Sequence, residues 1–299
     1  MHGFALINKA PGLTSHDVVA QARKQFGTKK VGHAGTLDPM ATGVLVLGIG
    51  SATRLLQYVV DGTKKYEATI RLGQSTHTDD REGEIISTTD ASNLSEAQIK
   101  SAITNFVGKI KQKPSSVSAI KVDGKRAHQR VRDGEVVDLP ARDVEIMDIE
   151  VRSIKKIDEF IDVEVTVTCS AGTYIRAIAR DLGEVLQVGG HLTSLNRTLV
   201  SPFDISECSD LKDCKPVSVA SAISRILPVR TIDLSEANEI SFGRAIAASN
   251  QVGAVAALDQ AGEFVALLDH DDVIEKRALK RVNEELLKDD TIDYIYTDE

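Results

Sequence analysis

Asp38 is the carboxylate whose setting most suggests chemistry. It lies in Gly32-His33-Ala34-Gly35-Thr36-Leu37-Asp38-Pro39-Met40-Ala41-Thr42-Gly43. With three glycines and one proline, the stretch 31–43 is expected to be an irregular loop between two apolar segments. A carboxylate displayed there can form a covalent adduct with an electrophilic carbon and leave again, or stabilise positive charge on it. Either role needs the ionised form in a partly dry pocket, which a neighbouring cation favours. The residue types alone also allow a plainer reading, an aspartate that caps a turn.

Other chemistries find less support. His2, His16, His33, His77, His128, His191 and His270 make no HExxH, nor a zinc-spaced set with Cys169, Cys208 and Cys214, so no metal site is expected. The glycines near Asp38 lack the GK[ST] of a phosphate loop, and no GxGxxG opens a helix after a strand. Ser170-Ala171-Gly172-Thr173 is not a GxSxG elbow, so acyl transfer has no support. Three cysteines without a CxxC read as reduced, structural thiols.

The elements that must position Asp38 follow from hydrophobic periodicity. Residues 4–9 read as a short buried strand, ended by Ala10-Pro11-Gly12. Thr14 or Ser15 can cap a helix through 18–26. Residues 44–49 read as a buried strand and 52–60 as a short helix. The stretch 65–72 alternates, placing Tyr66, Ala68, Ile70 and Leu72 on one face. Ser95 precedes an amphipathic helix to Phe106, and Asp123-Gly124 marks a hairpin turn. Strands at 144–153 and 160–169 come next, then a helical pattern over 173–186. After a polar connection at 206–216, Pro228 begins a second, small, β-rich domain.

These segments resemble, in order, the motifs of the TruB family of tRNA pseudouridine-55 synthases. From Gly32 the text GHAGTLDPMATGVLVLGIG is similar to the family's catalytic loop. It is accompanied by LINKAPGLTSHDVV, KKYEATIRLGQSTHTDDREGE, PSSVSAIKVDGKRA, CSAGTYIRAIARDLGE and GGHLTSLNRT, covering about residues 3–200. The resemblance implies an α+β fold: a pseudouridine synthase core with a central, mostly antiparallel or mixed sheet, then a small PUA-like β domain. It implies isomerisation of the T-loop uridine of tRNA by base flipping, without cofactor or metal. Asp38 takes the nucleophile's place and Arg176 that of its cationic partner. Tyr66 matches the tyrosine packed on the target base, a candidate for proton transfer at the sugar. Tyr174 and Leu195 match uridine-pocket contacts, and His33 the residue that fills the space left by the flipped base. Lys9 matches a lysine supporting the active-site loop and RNA backbone. His128 and His77 depart from the family's usual tyrosine and acidic residue, which bears on local packing.

Composition is compatible with this reading. The 299 residues are 42% hydrophobic and only 4% aromatic, without Trp, so any stacking on bases falls to a few Tyr, Phe or His. The net charge of −8 is uneven: residues 259–299 hold 13 acidic and 5 basic side chains, while 1–258 is neutral. Residues 1–66 carry eight Lys or Arg against three Asp or Glu, a local basic surface that suits RNA. Lys29, Lys30, Lys64, Lys65, Lys121, Lys125, Arg126, Arg130 and Arg132 are candidate phosphate contacts, which position RNA without reading its sequence. No apolar run approaches the roughly 20 residues of a membrane helix, and the N-terminus lacks a signal-peptide pattern. A cytoplasmic monomer that binds the tRNA T-stem-loop, with no membrane or obligate protein partner, is expected.

The sequence divides as 1–228, the synthase domain; 229–263, a partial PUA-like RNA-binding domain; and 264–299, an atypical acidic tail. The tail resembles the DxD segment of family 2 glycosyltransferases, with Asp269-His270-Asp271 in the DxD position. At about 36 residues it lacks the rest of such an enzyme, which points to a junction near 262–268. The alternative is a divergent tail with an amphipathic helix. Two other functions stay open on sequence alone: a paralogue acting on another structured RNA, and an RNA-binding module without catalysis.

Overall fold

The computed structural model describes residues 1–115, 121–122, 125–126, 139–244, 246–247 and 253–268. The chain divides into two compact units, Ala5–Pro216 and, together with His2–Phe4, the residues from Val217 onward. Among the described residues no helix is long and apolar enough to cross a membrane.

The first unit is built on a nine-stranded mixed sheet. Its strands are β1 (Gly3–Lys9), β2 (Val31–Ala34), β3 (Thr42–Ile49), β4 (Lys64–Leu72), β7 (Gly108–Gln112), β10 (Arg142–Ile157), β11 (Phe160–Cys169), β12 (Gly190–Val200) and β13 (Phe203–Asp204). The order is β1-β3-β12-β4-β11-β10-β7, with β2 on β3 and β13 on β12. The short pairs β5–β6 (Gln74–Thr76, Ile85–Thr88) and β8–β9 (Lys121–Val122, Lys125–Arg126) lie outside it. The turn at Asp123-Gly124, His128, Arg130 and Arg132 lie outside the described residues, although the strands flanking that turn do pair.

Local signals were largely obeyed. Helix α1 (Ser15–Gln25) starts at Thr14, whose hydroxyl accepts from the Asp17 amide while the Asp17 carboxylate accepts from the Thr14 amide. That reciprocal box satisfies two orphan donors. Helix α3 (Glu96–Thr104) begins at Ser95 with the same device. Strand β4 buries Lys64, Tyr66, Ala68, Ile70 and Leu72, the period of two for one buried face. A 3-10 turn (Gly50–Leu55) runs into α2 (Leu56–Val60). Helix α4 (Ile175–Val185) starts after Tyr174 and packs against β12.

One expectation changes. Residues 31–34 are not irregular: β2 pairs antiparallel with β3, from Val31 opposite Ile49 to Ala34 opposite Val46. The ladder satisfies the backbone of Gly32 and His33, which the glycine-rich composition concealed. The irregular part is therefore 35–41, and it holds Asp38.

In the second unit, α5 (Val219–Ile226) and α6 (Leu234–Ser241) accompany a sheet of order β14-β15-β16 (Val229–Thr231, Val255–Leu258, Phe264–Leu268). Strands β14 and β15 are parallel, β15 and β16 antiparallel. Phe264–Leu268, the start of the segment read as a tail, is thus an ordered edge of this sheet. Asp269, His270 and Asp271 lie outside the described residues.

The loop returns to the sheet through a parallel contact two residues long, Thr42 opposite Asn196 and Gly43 opposite Arg197. Gly43 has φ +99°, and a Cβ there would stand 2.2 Å from the Arg197 carbonyl oxygen. Both the backbone angle and the close approach demand glycine. Gly43→Ala is expected to cost at least about 2 kcal/mol in urea unfolding, from overpacking and left-handed strain together.

Candidate active site

The loop around Asp38 is fixed from both sides by side chains that reach its backbone. Lys9, 1% exposed at the end of β1, donates from Nζ to the carbonyls of Ala10 (3.0 Å), Leu13 (2.7 Å) and Pro39 (3.2 Å). Ser15 Oγ accepts from the Leu37 amide at 2.9 Å and lies 3.2 Å from its carbonyl. Arg197, on β12 and equally buried, donates from Nε to the Val44 carbonyl (2.8 Å). Its two terminal nitrogens reach the carbonyls of Thr36 (3.4 Å) and Gly35 (3.1 Å). The aspartate's place is therefore set by groups remote in sequence.

Arg176 supplies the charge. It sits in the first turn of α4 and meets the Asp38 carboxylate side-on, Nε to Oδ2 at 2.9 Å and Nη2 to Oδ1 at 3.1 Å. Two parallel charge-assisted bonds fix the plane of the carboxylate as well as its position. Nη1 turns the other way, to the Thr78 carbonyl (2.7 Å) and Ser115 Oγ (3.2 Å), and Asp80 lies 3.8 Å from Nε. The arginine side chain is 5% exposed and that of Asp38 32%. The cation is thus buried behind a carboxylate that still reaches solvent, as an attacking group needs.

Tyr66 is inward-facing on β4, opposite Arg197 in the strand register. Burial raises its pKa above the ordinary phenol value, while Arg197 opposes the rise. Leu195 lies opposite Ala68 and joins Tyr66, Leu37, Met40 and Ile175 in one buried cluster. Tyr174 is gripped through its backbone: the Gln112 amide accepts from its N–H (2.8 Å) and donates to its carbonyl (3.0 Å). His33 sits on β2 with its ring edge-on to His16, centroids 5.5 Å apart. Asp38, Arg176, Lys9, Tyr66 and Leu195 thus gather around the loop, whereas His33 stands at its upstream end.

Sequence patterns corresponding to three parts of one family match this chain consecutively. They are the N-terminal domain of TruB family pseudouridylate synthases (residues 23–175), the tRNA pseudouridylate synthase B C-terminal domain (176–228) and the tRNA pseudouridine synthase II C terminal (227–276). The chain belongs to the TruB family. A tRNA pseudouridine synthase B of Corynebacterium efficiens is 50% identical over 272 residues, 89% of this chain and 92% of that one. The Arthrobacter sp. (strain FB24) protein of that name is 50% identical over 283 residues, 90% and 92% of the two chains. Among solved structures, a chain of a Cbf5-Nop10-Gar1 complex is similar with TM-score 0.65 and 28% identity, over 89% of this chain and 77% of that one.

The TruB motifs conceal several groups that this site uses. Thr78, Asp80 and Ser115 sit behind Arg176, and Gln112 behind Tyr174; the first three lie inside the motifs quoted above, yet all four read there as turn or surface residues. Arg197 did leave a signal, since it shares the inward parity of Leu195 on β12. Lys64 corrects an expectation. It is 5% exposed and donates to the carbonyls of Val60 (2.6 Å) and Gly62 (2.7 Å), closing the end of α2, so it is not placed to meet phosphate.

Burial pushes Lys9 down from 10.5 to about 8, against the pull of Asp38, and Lys64 to about 8, with Arg197 adding to the shift. A lysine whose folded pKa is depressed penalises the fold while it is charged in both states. That penalty is full below about pH 8 and fades as pH rises towards 10.5. Lysine Cε NMR should show two resonances titrating near pH 8, one lost in Lys9→Met and the other in Lys64→Met.

Proposed function

We infer that this chain converts the T-loop uridine of tRNA to pseudouridine, with Asp38 as nucleophile. The observation that carries the reading is the side-on grip of buried Arg176 on a carboxylate that remains open to solvent, within a TruB sequence. Breaking the C1'–N1 bond leaves positive charge at C1', which the Asp38 carboxylate meets by covalent attack or by charge. The freed uracil turns, C5 bonds to C1', and the proton leaves C5 as N1 regains one. Atoms and oxidation state balance, so the reaction calls for no redox cofactor.

The T-loop uridine is stacked, and extruding it costs a few kcal/mol. In the proposed complex, Tyr66 packs on the flipped base and is the candidate for proton transfer at the sugar. Leu195 and Tyr174 border the pocket, and His33 fills the vacated stack. Lys9 supports the loop, and exposed Lys29 and Lys65 meet phosphates. The names of relatives about 50% identical over nine-tenths of this chain favour tRNA over another structured RNA.

Pseudouridine mapping of an unmodified tRNA transcript tests this directly. Wild type should modify the T-loop uridine alone, and Asp38→Asn should bind the transcript but leave it unmodified. A folded, tRNA-binding wild type that makes no pseudouridine would leave an RNA-binding protein instead. We also propose that residues 269–299 stand outside the mechanism. Because Phe264–Leu268 pairs with β15, a cut after Leu268 is the informative deletion, and it should leave the single-turnover rate unchanged.

A further inference from the structure

We propose that Arg197 is a positioning residue that joins the nucleophile's loop to the strand carrying Tyr66, and so sets the separation of Asp38 and Tyr66. Three of its nitrogens end on three carbonyls: Gly35 and Thr36, just before Asp38, and Val44, where the chain re-enters the sheet. On β12 the same residue stands directly opposite Tyr66 of β4. One residue thereby ties both borders of the loop to the strand pair that carries the second functional group.

The arrangement needs a guanidinium. Its five N–H groups diverge in a plane, so one cation reaches acceptors on both sides of a loop; a lysine ammonium cannot cover them. At 1% exposure the guanidinium has no water to replace a lost partner, and an unmet buried N–H is costly. The loop cannot drift from β12 without stranding those donors. Gly35 presents its carbonyl from a backbone angle of φ +84°, a conformation that favours glycine. The short parallel register of Gly43 against Arg197 closes the same joint from the backbone side.

Standing opposite Tyr66, the Arg197 cation also opposes the rise that burial gives the phenol's pKa. Arg176 controls the carboxylate and Arg197 its distance from the tyrosine partner. The two arginines therefore divide the work.

The inference rests on the roles given above to Asp38 and Tyr66. The test is single-turnover pseudouridine formation on saturating tRNA transcript, with transcript affinity measured separately. Arg197→Lys should slow turnover about 100-fold, the scale of an ångström of misplacement, with affinity unchanged; Arg197→Met should be slower still. A 3-fluorotyrosine placed at position 66 should change its fluorine shift in Arg197→Lys, which a purely structural role would not require. Turnover within threefold of wild type, or an unmoved fluorine signal, overturns the inference. If both variants fail to fold, the fluorine label in the otherwise unaltered enzyme decides. A through-space contact between Arg197 guanidinium protons and the label supports the joint, and its absence overturns it. Wild type that makes no pseudouridine overturns the underlying function instead.

Discussion

A cation taken out of water must find an oxygen for each of its N–H groups, and that requirement organises this site. Lys9, Lys64, Arg176 and Arg197 are all at most 5% exposed. A buried charge without acceptors would cost several kcal/mol. Most of the acceptors they find are backbone carbonyls, including Pro39, Gly35, Thr36, Val44, Val60 and Thr78. Gly35, Thr36, Pro39 and Thr78 belong to irregular segments of the unit, and Val44 and Val60 lie in β3 and α2 close to where those elements meet such segments. The cations and the loops solve each other's problem, and Asp38 is held where they meet.

Arg176 differs from the other three in taking carboxylates. It faces Asp38 side-on and has Asp80 within 3.8 Å, with Thr78 and Ser115 behind it. Asp79, next in the chain, pairs with Arg180 one helical turn further along α4, and burial raises its carboxyl pKa. Two arginines spaced i and i+4 on one helix thus dock two successive aspartates of the 77–83 turn. That spacing puts both guanidiniums on one helix face. The helix is in turn seated on β12, the strand that carries Arg197 and Leu195.

Much of this was legible locally. Thr14 and Ser95 announced helix starts through their capping partners three residues on, and the alternation from Tyr66 to Leu72 gave strand and buried face together. The TruB motifs named Asp38, Tyr66 and Arg176 before any geometry. Legibility failed where a residue's environment comes from another part of the chain. Lys64 sits beside exposed Lys65 and reads as one more surface cation, yet the strand's period of two turns it inward onto the end of α2. Val31–Ala34 reads as loop because of its glycine, yet β3 offers it a ladder. Thr78, Asp80, Ser115 and Gln112 look like turn and surface residues until α4 packs over them.

By itself the sequence determined the short-range physics: which residues cap, which alternate, which carboxylate stands in a glycine-rich loop, and which family carries those motifs. Such properties depend on neighbours within about one turn of helix or a few residues of strand. Only the tertiary structure decided that Arg176 reaches Asp38 across 138 residues of chain and that Arg197 spans 153 to Val44. It also decided that these cations are buried, because burial and acceptor geometry belong to the packed sheet and helix rather than to any segment. The nucleophile is written in the chain; its orientation is imposed by charges that have nowhere else to go.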